Sequence, residues 1–258
     1  MDEYAIDDAS PEPPPLSGRV EIGVDADDAY ERIGKALLLA AHNCCREYGS
    51  FQLALSGGST PFPLYRRLMV DPMFRALPWE QTHLWIVDER RASETDDTNN
   101  FKHINELIVE HTDIPNSSVH PIPVGAEENA ASEYEASLRR VLGERGALEA
   151  RLDFVMLGMG DNGHTASLFP HTQVLHETER WVGNCFGPTV TPPDRVTMTY
   201  PLLNDARHIA FLVLGSAKAS MISRVAHGDD SFEELPVKAI KPNRGDLVWY
   251  LDTESASG

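Results

Sequence analysis

Cysteine is scarce in this sequence. Three of the 258 residues are cysteines, Cys44, Cys45 and Cys185. Their number is odd, two of them are adjacent, and no Cys-x-x-Cys spacing occurs, so neither a disulfide framework nor a zinc site is expected. The sequence therefore predicts inert thiols in a reducing compartment.

Basic residues and long apolar runs are also lacking. The chain has 22 Lys and Arg against 40 Asp and Glu, a formal net charge of −18. That charge argues against nucleic-acid and anionic-membrane partners, because both require a positive surface. The longest apolar run, 36–41, is too short to cross a bilayer, and the acidic start has no secretory pattern. We expect a cytoplasmic protein, monomeric or a small homo-oligomer, in which a small anionic ligand needs only a local basic pocket.

The chain is predicted to comprise one tail and one domain. Residues 1–18 are acidic and proline-rich, which is typical of a disordered segment. From residue 19 to residue 258, apolar strands alternate with helices, so we predict a single α/β domain with a mainly parallel sheet flanked by helices. Strands are predicted at 19–23, 51–56, 83–87, 119–122, 153–157, 209–214 and 247–251. Helices are predicted from Asp25 to Gly49 and at 61–70, 100–110, 127–142 and 216–227, with an irregular segment at 172–195.

Polar or glycine-rich segments follow four of these strands. Ligands of open α/β sheets bind beyond the carboxyl ends of the strands, so four such loops at one edge predict one site. The loops are SGGSTP (56–61), DERR (88–91), GMGDNGHTASLFP (158–170) and GSAKAS (215–220).

The SGGSTP loop has the composition of a phosphate site. Gly57 and Gly58 permit a tight turn with exposed N–H groups, Ser59 and Thr60 add hydroxyl donors, and a helix is predicted to begin at Pro61 with its positive dipole end nearby. A plain strand-to-helix turn with a capping threonine is the alternative. The loop is not a Walker A motif, because no Gly-Lys-Ser/Thr follows.

The second glycine loop contains a GxGxxG match at 158–163, but we reject a dinucleotide site. That fingerprint requires a long helix opening at its third glycine, and Pro170 interrupts the segment too soon. His164 is the more informative residue of this loop and a candidate catalytic base, because an imidazole with an ordinary pKa of about 6.5 can take up a proton near neutrality. A structural hydrogen bond within the loop is the alternative role for this side chain.

Two cations near the later strands complete the predicted site. Arg195 can hold a phosphate with two hydrogen bonds, and Lys218 can act as a point charge. Ordinary surface charge is the alternative for both, and an internal ion pair ordering the loop is the alternative for Asp88, Glu89 and Arg90. The sequence lacks GxSxG, HExxH and any His, Cys and Asp cluster at metal spacing, so neither a serine hydrolase nor a metal site is expected.

Six blocks in register resemble the 6-phosphogluconolactonase family: LALSGGSTP (53–61), VDER (87–90), DDTNN (96–100), GMGDNGHTASLFP (158–170), RVTMTYPLLNDARHIAFLVLGSAKA (195–219) and WYLD (249–252). The resemblance implies a Rossmann-like α/β fold shared with glucosamine-6-phosphate deaminases. It implies hydrolysis of 6-phospho-D-glucono-1,5-lactone in the oxidative pentose phosphate pathway, without metal or organic cofactor. The implied catalytic residues are His164, Asp88 and Asn162, and the implied phosphate ligands are Gly57, Gly58, Ser59, Thr60, Arg90, Arg195 and Lys218.

One position departs from the family pattern, which usually has Asp-Gly-His in the last glycine loop. Here Asn162 precedes Gly163 and His164, and the acid lies one place earlier at Asp161, which leaves open whether Asp161 compensates. The deaminase branch has a glutamate five residues after the histidine, where this chain has Phe169. A sugar-phosphate-binding regulator without catalysis is a further alternative, although no basic helix-turn-helix pattern appears.

Overall fold

The chain folds around a seven-stranded parallel sheet in this computed structural model, which describes residues 11–124 and 129–258. The strands in chain order are β1 (Arg19–Gly23), β2 (Phe51–Leu55), β3 (Thr82–Ile86), β4 (Asp88–Arg90), β5 (Val119–His120), β6 (Phe154–Leu157), β7 (Val182–Phe186), β8 (Asp194–Met198), β9 (His208–Val213) and β10 (Asp246–Asp252). The main sheet has the order β1-β10-β9-β6-β2-β3-β5, and every neighbouring pair in it is parallel.

The helices are α1 (Ala26–Tyr48), α2 (Phe62–Val70), α3 (Asn100–Leu107), α4 (Ala130–Gly143), α5 (Tyr200–Leu203), α6 (Ala219–His227) and α7 (Thr253–Ala256). The ends of α1 follow its sequence signals. The Asp25 side chain accepts a hydrogen bond from the Asp28 N–H, and Gly49, at φ +77°, closes the helix with an N–H bond to the Cys45 carbonyl.

The central strands are buried along their length, which explains their apolar composition. All five residues of β2 and all four of β6 are buried, as expected for a parallel sheet covered on both faces. The predicted Rossmann-like α/β domain with a mainly parallel sheet is therefore confirmed.

The prediction for 172–195 was wrong in part, because this segment contains β7 and the start of β8. The two strands pair with each other, and β8 also pairs with β4, in a small antiparallel sheet of order β4-β8-β7. Val182, Val196 and Met198 supply its buried apolar side chains, while the prolines lie in the connection between β7 and β8. The DERR segment is also more than a strand end, because its first three residues form β4.

Several element boundaries also differ from the predicted ones. The strand predicted at 119–122 is shorter in the structure, where β5 ends at His120. The helix predicted at 216–227 is a 3-10 turn, Ser216–Lys218, followed by α6. The helix predicted at 127–142 begins at Ala130, and the first two residues of that prediction lie outside the described residues.

Part of the predicted tail, residues 1–10, lies outside the described residues. Near its other end, Leu16 is buried and the Ser17 carbonyl accepts a hydrogen bond from Trp249 Nε1 at 2.9 Å. These two residues therefore contact the folded domain. Within the described ranges, no helix is both long enough and apolar enough to span a membrane.

Candidate active site

A cavity of about 330 Å³ opens at the carboxyl edge of the main sheet, where β2, β6 and β9 end beside β4. It collects residues from all four loops singled out in the sequence. Of the predicted site residues, those lining the cavity are Gly57, Gly58, Ser59, Thr60, Asp88, Arg90, His164, Arg195 and Lys218. Asn162 is not among the lining residues, but it is hydrogen-bonded to His164, which is.

The backbone of the second glycine loop folds tightly under His164. The Gly160 N–H donates to the His164 carbonyl at 2.8 Å, and Gly163 adopts φ +76°. A Cβ atom on Gly160 would lie 2.0 Å from His164 Cε1, so only glycine leaves room for the ring. The segment after Gly163 forms turns, which agrees with the rejection of a dinucleotide fingerprint.

Asn162 sets the tautomer of His164. Its Oδ1 accepts hydrogen bonds from the His164 backbone N–H at 3.3 Å and from Nδ1 at 2.6 Å. Because a backbone N–H only donates, the asparagine atom facing both groups is the oxygen, and Nδ1 must carry the proton. Nε2 is then the unprotonated nitrogen, which makes it the acceptor of the ring.

Burial holds His164 in this neutral form, because it lowers the pKa of the imidazole to about 4. The charge of Asp88 raises that pKa, whereas Lys218 and Arg195 lower it further. The ring is thus a neutral base throughout the physiological range. Phe169 packs on it with ring centroids 4.6 Å apart.

The acid at position 161 takes a different partner. Asp161 forms an ion pair with Lys218, which lowers the pKa of its carboxyl group. The imidazole Nδ1–H donates its hydrogen bond to Asn162 Oδ1 and not to this carboxylate. Asp161 therefore acts on His164 only as a nearby charge, which raises the pKa of the ring.

Asp88 is buried at the start of β4 and held on two sides. Its Oδ2 accepts a hydrogen bond from Ser167 Oγ at 2.5 Å, and its carbonyl accepts one from Asn100 Nδ2 at 2.7 Å. Asn100 also lies against the SGGSTP loop, since a Cβ on Gly57 would come within 1.9 Å of Asn100 Oδ1. Gly57 thus allows close approach, and Gly58, at φ +97°, allows the turn.

Glu89 orders the neighbouring loop without an ion pair. Its carboxylate, fully buried, accepts hydrogen bonds from the backbone N–H groups of Arg90, Asn100 and Phe101 at 2.7–2.8 Å. Burial raises the pKa of this carboxyl group to about 7. The ion pair considered in the sequence analysis is therefore replaced by a cap on the first turn of α3.

Arg90 and Arg195 face each other across the β4–β8 pair, where they are direct register partners. Arg195 is 5% exposed, and its Nε donates to the Pro192 carbonyl at 2.8 Å. Burial and the charge of Arg90 lower the pKa of Arg195. Within residues 11–124 and 129–258, no carboxylate forms an ion pair with either guanidinium. Two adjacent positive charges beside a cavity favour an anionic ligand.

Two polar residues of this site, Asn100 and Ser167, were not predicted from the sequence. Asn100 lines the cavity, and Ser167 lies behind Asp88. Both stand inside blocks that carry the resemblance, DDTNN and GHTASLFP, but neither has a distinctive chemistry by composition alone. Among the residues that the structure covers, no group of three or more His, Cys, Asp or Glu side chains is arranged to hold a metal ion.

The fold and the cavity define a Rossmann-like α/β protein in which basic side chains and a neutral histidine line a cavity at the carboxyl edge of the sheet. A model of the family described as glucosamine-6-phosphate isomerases/6-phosphogluconolactonase matches residues 24–249. The chain belongs to this family.

Its relatives include a 6-phosphogluconolactonase from Synechocystis, 33% identical over 244 residues, which cover 93% of this chain and 98% of that protein. The human GDH/6PGL endoplasmic bifunctional protein is 34% identical over 238 residues, but the chain spans only 29% of its length. The crystal structure of 6-phosphogluconolactonase from Leishmania guyanensis has 27% sequence identity and a TM-score of 0.79, with 94% of this chain and 99% of that one covered.

Proposed function

We propose that this protein hydrolyses 6-phospho-D-glucono-1,5-lactone to 6-phospho-D-gluconate, a step of the oxidative pentose phosphate pathway. The observation that carries the proposal is the placement of a neutral histidine in the same cavity as two adjacent arginines. The relatives named 6-phosphogluconolactonase, at 33% identity over nearly their full length, support the same substrate.

In this proposal the 6-phosphate binds at the basic side of the cavity. The groups available are the N–H and hydroxyl donors of the SGGST loop, the guanidinium groups of Arg90 and Arg195, and the ammonium of Lys218. Anchoring the phosphate far from the reacting carbon holds the lactone carbonyl at a fixed distance from the base, which lowers the entropic part of the barrier.

His164 is the proposed general base. Its Nε2 accepts a proton from a water molecule as the water oxygen attacks the lactone carbonyl carbon. Asn162 keeps the proton on Nδ1, so the acceptor remains on the reacting side. Once the tetrahedral intermediate collapses, the imidazolium returns the proton to the departing ring oxygen, and Asp88 orients water or sugar hydroxyls beside it.

The oxyanion of the intermediate requires hydrogen-bond donors. Within the 158–163 loop, the N–H of Gly160 already donates to the His164 carbonyl and that of Gly163 to the Gly160 carbonyl. These two groups are therefore not the donors, and the role falls to other N–H groups of that loop.

Ring-opening isomerisation, the reaction of the deaminase branch, fits this cavity less well. That branch has a glutamate five residues after its histidine, and the corresponding Phe169 is 2% exposed and packs on the His164 ring. An apolar ring here supplies no proton-transfer group, so the lactonase reaction is the better match.

The decisive experiment measures acid release from freshly prepared 6-phosphogluconolactone against its spontaneous hydrolysis. Acceleration by the protein supports the lactonase, while production of ammonia from glucosamine 6-phosphate would identify the deaminase. Binding of the sugar phosphate without turnover of either substrate would indicate a regulator. We propose that no cofactor is needed, so EDTA should leave the rate unchanged.

A cytoplasmic location and a monomeric or small homo-oligomeric state remain predictions. The relatives' names include endoplasmic and chloroplastic proteins, so the family occurs in several compartments. Fractionation of the source cells and light scattering of the purified protein are the measurements that test them.

A further inference from the structure

We propose that Ser167 is a positioning residue of the lactonase site, whose hydroxyl fixes the orientation of the Asp88 carboxylate. The inference rests on the proposed function and assigns Ser167 a part in it. Ser167 lies behind the cavity wall and acts on the substrate only through Asp88.

The contact between the Ser167 and Asp88 side chains is short and shielded from solvent. Ser167 is 0% exposed and Asp88 is 7% exposed, and Ser167 Oγ lies 2.5 Å from Asp88 Oδ2. An O–H···O⁻ distance of about 2.5–2.7 Å is typical of a hydrogen bond to an ionised carboxylate, which is about twice as strong as one between neutral groups. One carboxylate oxygen is therefore bound to the protein.

Ser167 is itself fixed relative to the strand that carries Asp88. Its backbone N–H donates to Thr197 Oγ1 at 3.1 Å, and that hydroxyl donates to the Met198 carbonyl at 3.0 Å. Thr197 is the direct register partner of Asp88 in the β4–β8 pair. The hydroxyl of Ser167 is thus tied to the same small sheet as the carboxylate that it holds.

The loop adopts an uncommon backbone conformation on the way to this contact. Ala166, immediately before Ser167, has φ +50°, which non-glycine residues seldom adopt. Such conformations persist where the surrounding structure enforces them and cluster at functional sites. Here the turn directs His164 toward the cavity and Ser167 toward Asp88, so that one short loop serves both side chains.

The consequence for catalysis is a carboxylate with one bound and one available oxygen. Asp88 lines the cavity, and a hydrogen bond on Oδ2 stops the group from rotating about its terminal torsion. Without that bond, the available oxygen would no longer point in one direction toward the substrate. In the part of the chain that the structure describes, no hydrogen bond joins Ser167 to Arg195 or Lys218, the proposed phosphate ligands, so we expect substrate affinity to be set elsewhere.

The first test is the variant Ser167→Ala, assayed with 6-phosphogluconolactone. We expect kcat to fall about ten- to a hundredfold, the effect of losing one hydrogen bond to a charged group, while KM stays within about twofold of the wild type. The melting temperature is measured in parallel. Should the alanine variant unfold, Ser167→Cys, which fills the site with a weaker donor, is expected to lower kcat by a smaller factor.

A double-mutant cycle distinguishes positioning from a general structural role. In an Asp88→Ala background the carboxylate is gone, so adding Ser167→Ala should leave kcat unchanged. An equal loss of kcat in both backgrounds would overturn the inference. The control is Thr82→Val, which removes a buried hydroxyl bonded to the Pro78 carbonyl at the opposite edge of the sheet and should not alter kcat.

The outcomes separate this inference from the function on which it rests. If the wild-type protein does not accelerate lactone hydrolysis, the proposed function itself is wrong. If the wild type is active and Ser167→Ala keeps kcat within twofold, the function stands and the positioning role is refuted.

Discussion

Asp161 and Lys218 form an ion pair at the edge of the cavity, joining the glycine loop before His164 to the turn before α6. The Asp161 side chain is 89% exposed, whereas that of Lys218 is 20% exposed and lines the cavity. An exposed pair of this kind contributes about 1 kcal/mol or less. Asp161 is therefore a weak internal competitor for the cation that we assign to the substrate phosphate.

The variant Asp161→Asn should consequently bind substrate more tightly. Removing the competing carboxylate frees Lys218 for phosphate, and we expect KM to fall about two- to fivefold, the equivalent of up to about 1 kcal/mol. Steady-state kinetics with 6-phosphogluconolactone measure the change. Glu144→Gln, which removes a comparably exposed pair with Arg140, is the control and should leave KM unchanged. A higher KM in Asp161→Asn would show that the ion pair supports the binding loop.

Removal of a cation from the proposed phosphate pocket should have the opposite effect on KM. Arg195→Ala and Lys218→Ala should each raise KM about ten- to a hundredfold, because a hydrogen bond from a charged group is worth about 1.5–3 kcal/mol. Inorganic phosphate should inhibit the wild type competitively, and both variants less strongly. Arg75→Ala, at an exposed position outside the cavity, should behave like the wild type.

The unphosphorylated lactone is the second control for this pocket. It lacks the group that Arg195 and Lys218 are proposed to bind, so its slow hydrolysis should hardly respond to either substitution. Equal losses with both lactones would mean that these residues act in folding or in chemistry, and would refute the pocket.

The sequence revealed the four strand-end loops that line this site, and it revealed a contact between side chains only where both residues lie in one loop. His164 and Asn162 are two residues apart, and the glycines beside them indicate a strand-end turn whatever the rest of the fold. Ser167 and Asp88 are 79 residues apart, and their contact depends on how β8 brings the two segments together. That pairing involves a segment whose prolines predicted irregular structure, so no local pattern pointed to it.

Asn100 illustrates the same limit. Its side chain matters because it fits against a glycine 43 residues away and bonds to the Asp88 carbonyl. Packing of that kind leaves no periodic or compositional signal. The hydrogen bonds from backbone N–H groups to Glu89 were likewise not predicted. A carboxylate beside an arginine in sequence predicts an ion pair, but in the fold Glu89 is buried against the first turn of α3, whose N–H groups donate to it.

Removing the proposed base gives the most direct test of the chemistry. His164→Ala should lower kcat about 10²- to 10⁴-fold, the usual contribution of a general base, with a smaller effect on KM because the phosphate ligands remain. Circular dichroism and thermal melting verify that the variant folds. Near-native turnover in His164→Ala would exclude this residue as the base, even if the protein proves to be a lactonase.

The pH dependence of the reaction tests the hydrogen bond between Asn162 and His164. In the wild type, burial lowers the pKa of His164 to about 4. Activity should therefore be lost as pH falls through that value, because the protonated ring accepts no proton from water. Asn162→Asp retains an oxygen acceptor for Nδ1 and adds a negative charge at 2.6 Å. A carboxylate there favours the imidazolium and should raise the pKa by roughly one to three units.

The acid limb of kcat/KM should therefore move upward in Asn162→Asp, into the range of about pH 5–7, and profiles corrected for spontaneous hydrolysis measure it. The second ionisation of the substrate phosphate, near pH 6, affects both proteins alike, so the difference between their profiles reports on the enzyme. Asp161→Asn should shift the acid limb in the opposite direction. The charge of Asp161 raises the pKa of His164, so its removal should lower that pKa and move the limb downward. If the limb in Asn162→Asp stays in place or moves down, position 162 does not hold the imidazole, and the tautomer assigned to His164 is wrong.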